Sequence, residues 1–350
     1  MTTPDDPSPM RGAAQRLPAG KLPGPLLDRL IDTYRTKPDP AVIVTPGYGR
    51  DAAAIQVSES VQLVVKSDPI TFATAGAAKY LVAVNANDIA CLGGIPRWLS
   101  VVLLLPEHES TVELVESLFA DLQLACNEAG VSVIGGHTEV TSAVNRPVFI
   151  GTMLGLPGKQ GLIEPGRARP GDDLLLTRWV GIEGTALLAR ERTEELTIAL
   201  GEAVVTRAAK LLRLPGISIV RDAMAVLEAD GVTALHDPTE GGIATAIHEI
   251  ASASRCGAEV LVEAVPVLSE TTAICTHFGI DPWGVLSSGA LLIAVAPESR
   301  QSVEQAAQAS GVPVSHIGRL TNPQQGVTMI GSAGRVELRR FDTDEVARVL

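Results

Sequence analysis

The stretch His236-Asp237-Pro238-Thr239-Glu240-Gly241-Gly242 sets a carboxylate and two glycines in a turn. Ile243, Ile247 and Ile250 follow at the i, i+4, i+7 spacing of a helix with one apolar face. The first N–H groups of such a helix have no partner inside it, so the glycines offer a cradle for an anion, commonly phosphate. Asp237 beside that cradle would repel a bare phosphate. A cation between them removes the conflict, which points to a metal–phosphate pair. Plain turn chemistry is the competing reading, because a double glycine before a helix also serves that purpose.

Three more carboxylates stand where sites are built. Asp51 follows the glycine-rich Pro46-Gly47-Tyr48-Gly49-Arg50, and Asp68 stands in Lys66-Ser67-Asp68-Pro69 at the expected end of a strand. Asp followed by Pro is also an ordinary turn former. Leu81, Val84, Asn85, Asp88 and Leu92 share one helix face, so Asp88 falls on a stripe expected to be buried. An ionised carboxylate there needs a metal, an arginine, or donors from the backbone or from Asn85 and Asn87, because burying it unpaired costs several kcal/mol, roughly. His137, in Gly135-Gly136-His137-Thr138-Glu139, is open to three roles: base, ligand or hydrogen-bonding loop residue. Lys21 either reaches a site or stays in solvent.

The elements that must position these groups divide into two units. Residues 1–19 are rich in Pro, Asp and Arg and read as a mobile arm. A first domain over 20–160 contains a helix from about Pro25 to Tyr34, strands at Val42–Val44 and Val61–Val65, and a helix from about Ala75 to Leu92. A strand at Trp98–Leu105 and a helix carrying Val115, Leu118, Phe119, Leu122 and Cys126 follow, then strands at Val131–Ile134 and Pro147–Leu156. The breaker-rich run Gly158–Pro170 marks the boundary. The second domain, 161–350, begins with a strand at Asp173–Thr177. A helix runs from Glu194-Glu195 toward Leu212, another covers Ser218–Ala229 with Ser218 as N-cap, and further strands and helices alternate as in α+β packing.

Composition excludes several functions. The formal net charge of −12 argues against a nucleic-acid or anionic-membrane surface as the main partner. Aromatic residues are only 3%, too few for base-stacking or carbohydrate platforms. Cys91, Cys126, Cys256 and Cys275 are widely spaced, with no Cys-x-x-Cys pair, which fits a reducing cytoplasm better than a disulfide framework or a zinc knuckle. No apolar run is long enough to span a bilayer, and the first twenty residues lack a signal-peptide core.

Taken in order, Gly49-Arg50-Asp51-Ala52-Ala53, Ser67-Asp68-Pro69, Val84-Asn85-Ala86-Asn87-Asp88-Ile89-Ala90, Gly135-Gly136-His137-Thr138-Glu139, Ala168-Arg169-Pro170-Gly171-Asp172 and Asp237-Pro238-Thr239-Glu240-Gly241-Gly242 resemble the aminoimidazole ribonucleotide synthetase superfamily. Within it the sequence is most similar to the hydrogenase maturation carbamoyl dehydratases. The resemblance implies a two-domain α+β fold, an N-terminal mixed sheet that pairs with its twin in a homodimer, and ATP held with Mg2+ in a cleft. It assigns Asp51, Asp68, Asp88 and Asp237 to the metal and Asn87, Thr239, Gly241 and Gly242 to the nucleotide phosphates. Lys21 and His137 fall near the transferred group.

The resemblance has departures. The maturation factors carry their substrate on a cysteine in a Pro-Arg-x-Cys ending, whereas this sequence ends Asp344-Glu345-Val346-Ala347-Arg348-Val349-Leu350. The selenophosphate enzymes have a cysteine or selenocysteine where Gly20 stands, and His137 replaces an acidic residue of the maturation factors. The resulting expectation is a cytoplasmic ATP- and Mg2+-dependent enzyme that activates an oxygen of a small substrate by phosphoryl transfer. Hydrogenase maturation with the carbamoyl-carrying thiol on a partner protein is one alternative. A nucleotide-binding regulatory dimer without catalysis is the other.

Overall fold

The computed structural model describes residues 22, 24–71, 76–332 and 334–350; Lys21 lies outside them. After α1 (Gly24–Thr33), strands β1 (Val42–Val44), β2 (Ala53–Ser58) and β3 (Val61–Ile70) lead into α2 (Ala77–Cys91). Then come β4 (Gly94–Pro106), α3 (Val112–Ala129), β5 (Ser132–Thr141) and β6 (Val148–Pro157). They form a six-stranded sheet in the order β1-β2-β3-β6-β4-β5. β4 and β5 are parallel, so the chain must cross over between them, and α3 is that crossover. Thr111 caps its start by accepting from the Leu114 N–H at 3.2 Å.

Helix α2 is buried nearly all round, including Asn85, Asn87 and Asp88. A helix apolar on one side only would not survive there; α2 packs on β3, β4 and β6 and is covered by α3, α7 and β8, the last two described below. It begins and ends within two residues of the helix the spacing predicts.

The second unit contains β7 (Asp173–Thr177), α4 (Ile182–Glu191), α5 (Thr193–Leu200), α6 (Glu202–Lys210), α7 (Val220–Val226), β8 (Val232–His236) and α8 (Gly242–Ala253). It continues through β9 (Gly257–Leu261), α9 (Ser269–Phe278), β10 (Leu292–Val295), α10 (Arg300–Ala309), β11 (Val314–Thr321), β12 (Val327–Gly331) and β13 (Gly334–Glu337). Its seven-stranded sheet has the order β13-β12-β9-β11-β7-β10-β8. The edge strand β8 is the one laid against α2, which brings the Asp237 turn to the Asp88 helix. Ala90 and Cys91 of α2 share a core with Leu175, Leu235 and Ile293, so the two units pack as one body at this seam. The fold is α+β with two sheet-and-helix units.

Four local expectations need correction. Gly135 and Gly136 do not end a strand: β5 runs through them to Thr141, and a Cβ at Gly136, with φ 147°, would collide with the Val101 carbonyl of β4. Asp68 is inside β3 rather than at its end. Past Val65, where its pairing with β2 ends, β3 continues through Asp68 and Pro69 to Ile70 beside β6. The expected helix from Glu194 to Leu212 is broken at Gly201 into α5 and α6. Ser218 does not cap α7, whose N-cap is Ile219 with no side-chain cap.

Candidate metal and phosphate site

Alternation along β3 turns Val64, Lys66, Asp68 and Ile70 to one face, the face that α2 covers. The Asp68 N–H donates to Asn85 Oδ1 at 3.1 Å, which pins the strand to the helix. One turn further along α2, Asp88 meets the Lys66 ammonium at 2.7 Å, and the same ammonium is 3.1 Å from Asp68 Oδ2. The partner required by Asp88 is thus Lys66, not an arginine or a neighbouring asparagine.

The second half of the cluster arrives from the other unit. β8 ends at His236, whose ring bridges Asp51 Oδ2 at 2.8 Å and Glu249 Oε2 of α8 at 2.9 Å. Asp51 belongs to the turn before β2, so this buried triad ties the two units together. Asp237 comes next. The Cys91 thiol donates to its Oδ1 at 3.7 Å, the Asp88 carboxyl lies against it, and no donor among the described residues reaches its buried Oδ2.

Charge is concentrated here. Burial raises the Asp88 carboxyl well above its ordinary range, opposed by Lys66 and reinforced by Asp237, Asp51 and Asp68. Burial and Asp51 likewise raise Asp237, to about 7. Burial alone would depress His236, but the carboxylates of Asp51 and Glu249 outweigh it and hold the imidazole charged. Burial is also overcome at Lys66, where Asp88 and Asp68 keep the ammonium charged.

A divalent cation fits this arrangement. Ligand atoms of Asp51, His236 and Asp237 lie within 4.8 Å of one another, and the orphaned Asp237 oxygen is the kind of buried acceptor that needs a cation or a donor. Carboxylate oxygens suit Mg2+, whereas His236 already spends both ring nitrogens on Asp51 and Glu249.

The remaining predicted residues are placed differently. Asn87 is wholly buried; its Nδ2 donates to the Ile217 carbonyl at 3.0 Å and its Oδ1 accepts from the Ile219 N–H at 2.9 Å, so its amide is engaged in joining the units. The Gly241 N–H donates to Asp344 Oδ2 at 2.8 Å, and the Gly242 N–H to the Thr239 carbonyl at 3.1 Å. A Cβ at Gly242, with φ 64°, would collide with the Trp283 carbonyl. These glycines thus serve close backbone packing, and a carboxylate of the chain itself takes the Gly241 donor. His137 is exposed on the edge strand β5, paired with Glu139 at 3.1 Å and separated from Lys66 by β6 and β4. Beside the Gly241 turn opens a cavity of about 420 Å3, lined by Tyr48, Glu240, Glu249, Arg340, Asp342 and Asp344 among others.

Lys66, His236, Glu249 and Glu183 are the residues that motif reading passes over. Lys66 and Asp68 stand two apart on one strand, a spacing that shares a face. His236 directly precedes Asp237. Glu183, in the first turn of α4, is buried with Oε1 unpartnered among the described residues, and burial raises its carboxyl to about 8. Only tertiary packing shows that Glu249 and Glu183 face inward.

Residues 49–156 match the AIR synthase related protein N-terminal domain, and residues 169–331 match its C-terminal domain. The chain is 31% identical over 296 residues to carbamoyl dehydratase HypE of Rhizobium leguminosarum bv. viciae, covering 82% of this chain and 81% of that protein. Among solved structures, hydrogenase maturation protein HypE in complex with ATP superimposes with a TM-score of 0.69 at 24% identity, covering 84% of this chain and 89% of that one. A chain of a HypE–HypF complex gives a TM-score of 0.70 at 19% identity, covering 90% of this chain and 99% of that one. With both domains matched over most of its length, the chain belongs to the AIR synthase related family of enzymes, alongside the carbamoyl dehydratase HypE proteins.

Proposed function

We propose that this chain is an ATP- and Mg2+-dependent enzyme that activates an oxygen of a small substrate by phosphoryl transfer. The observation that carries the reading is the convergence of Asp51 and Asp237 from the two units, with Asp88 against Asp237, around a buried carboxylate oxygen that no donor among the described residues reaches. The HypE structure in complex with ATP supports it. Asp51 and Asp237, with Asp88 beside them, would hold the ion. Mg2+ bound with ATP there supplies charge neutralisation on the phosphate oxygens as the phosphoryl group leaves. The chain's own residues do the positioning: His236 donates to Asp51 and Glu249 and fixes both carboxylates, while Lys66 holds Asp68 and Asp88.

A homodimer is part of the proposal. Strand β5 is exposed on both faces, with Val133, Ile134 and Val140 among its outward residues, and Phe119 and Leu124 of α3 are exposed nearby. An apolar edge strand of this length is the kind of surface that a second chain covers. His137 lies on that strand and reaches a phosphate site only across such a contact.

The 31% identity to carbamoyl dehydratase HypE and the HypE–HypF complex favour a second reading, in which the acceptor is a carbamoyl oxygen presented by a partner maturation protein. Phosphorus NMR of Mg2+–ATP with the chain separates the readings. ADP formed with small free acceptors supports the first; ADP formed only with a carbamoylated protein thiol supports the second. No nucleotide turnover under any of these conditions would sink both.

A further inference from the structure

The four aspartates do not form one undivided metal site. Lys66 Nζ lies 2.7 Å from Asp88 Oδ2 and 3.1 Å from Asp68 Oδ2, within hydrogen-bonding distance of both. A Mg2+ ion needs carboxylate oxygens at about 2.0–2.1 Å, and it cannot take these two oxygens while an ammonium sits between them. On the other side, no donor among the described residues reaches the buried Asp237 Oδ2, and Asp51 and Asp237 approach closely enough to share an ion. Asp88, which touches both Lys66 and Asp237, stands between a part already filled by a cation of the chain and a part suited to a metal.

We propose that Lys66 occupies the second cation position of the site, so that the chain takes a single divalent ion with its nucleotide and the Lys66 ammonium donates directly to a phosphate oxygen. This deepens the metal–nucleotide reading and rests on it. Three features argue for the role. Lys66 is in the interior of β3, in a sheet rather than a loop, so its stem is held. Its side chain keeps 20% exposure, so the ammonium is not sealed away from a ligand. Pairing of β3 with β2 ends at Val65, and the Asp51 turn stands just before the start of β2, so Lys66 is next to it in the sheet. The ammonium only donates hydrogen bonds; no bond to carbon or phosphorus forms at nitrogen, and no proton leaves it.

The test counts bound Mn2+ by equilibrium dialysis, with free Mn2+ followed by electron paramagnetic resonance, in the presence of saturating β,γ-methylene ATP. Wild type, Lys66→Met, Lys66→Arg and Asp237→Asn are compared, each checked for folding by circular dichroism. The proposal expects one Mn2+ per chain in wild type, one in Lys66→Arg, and two in Lys66→Met, where Asp68 and Asp88 are released. Two ions in wild type, or an unchanged count of one in folded Lys66→Met, overturns it. If Lys66→Met does not fold, the wild-type and Lys66→Arg counts decide. No nucleotide-dependent Mn2+ in wild type, or full retention in Asp237→Asn, overturns the metal-site reading and this assignment with it, and is distinguished by that pattern from failure of the Lys66 role alone.

Discussion

The Lys66 ammonium lies 2.7 Å from Asp88 Oδ2, joining the middle of strand β3 to the buried face of helix α2. Asp88 is almost wholly buried and Lys66 is largely so. Removing Lys66 leaves the buried Asp88 carboxylate without its cation, which costs about 3–5 kcal/mol, whereas replacing both partners of a buried pair by apolar groups is often neutral. Lys66→Met should accordingly lower unfolding free energy by about 3 kcal/mol in urea titrations, and the double variant Lys66→Met with Asp88→Leu should recover most of the loss. Equal stability of the single and double variants would show that the pair is not coupled.

His236 ties Asp51 of the first unit to Glu249 of the second through two hydrogen bonds. His236→Ala removes the cation between the half-buried carboxylates of Asp51 and Glu249. The seam between the units should loosen first, seen as faster amide hydrogen exchange in β8 and the start of α8. Unchanged exchange in those segments would mean that the triad does not hold the units together.

Glu183 supplies a further pH dependence. Burial raises its carboxyl from an ordinary 4.5 to about 8, partly opposed by a hydrogen bond from Ser288. Between those values the folded chain holds a proton that the unfolded chain releases. The stability contribution is complete below the ordinary value and is lost as pH rises through about 8. Glu183→Gln stays neutral throughout, so its melting temperature should fall less than that of wild type over the same interval. Parallel profiles for the two proteins would contradict the assignment.

The apolar edge of the first sheet gives a prediction about assembly. Ile134 and Val140 of β5 are more than half exposed. Charged substitutions at both, Ile134→Glu with Val140→Glu, should shift the mass measured by light scattering from dimer to monomer. A wild-type monomer, or a variant that remains dimeric, would remove β5 as the contact.

Much of this site is legible in the sequence because its carboxylates stand in short frames with local signals. Asp51 follows a glycine turn, Asp237 precedes a glycine pair that opens α8, and Asp88 lies on a helical stripe whose period can be counted. The partners are another matter. The bond from Asp88 to Lys66 spans a strand and a helix, and the bond from His236 to Asp51 spans 185 positions in sequence; spacing has no access to either. Gly135-Gly136 shows a different limit. Two glycines read as a chain breaker, yet here Gly136 lets β5 lie close against β4, a constraint set by a neighbouring strand. Gly241 shows a third: its N–H belongs to a phosphate cradle in the local pattern, while the folded chain brings Asp344 to it from 103 residues away.

Isothermal titration calorimetry of β,γ-methylene ATP, with and without Mg2+, on wild type and Asp237→Asn, tests the central claim most directly. The account predicts that wild type binds the analogue only when Mg2+ is present and that Asp237→Asn weakens this binding by at least about tenfold, ~1.4 kcal/mol. Equal affinity in the two proteins, or binding indifferent to Mg2+, would contradict it.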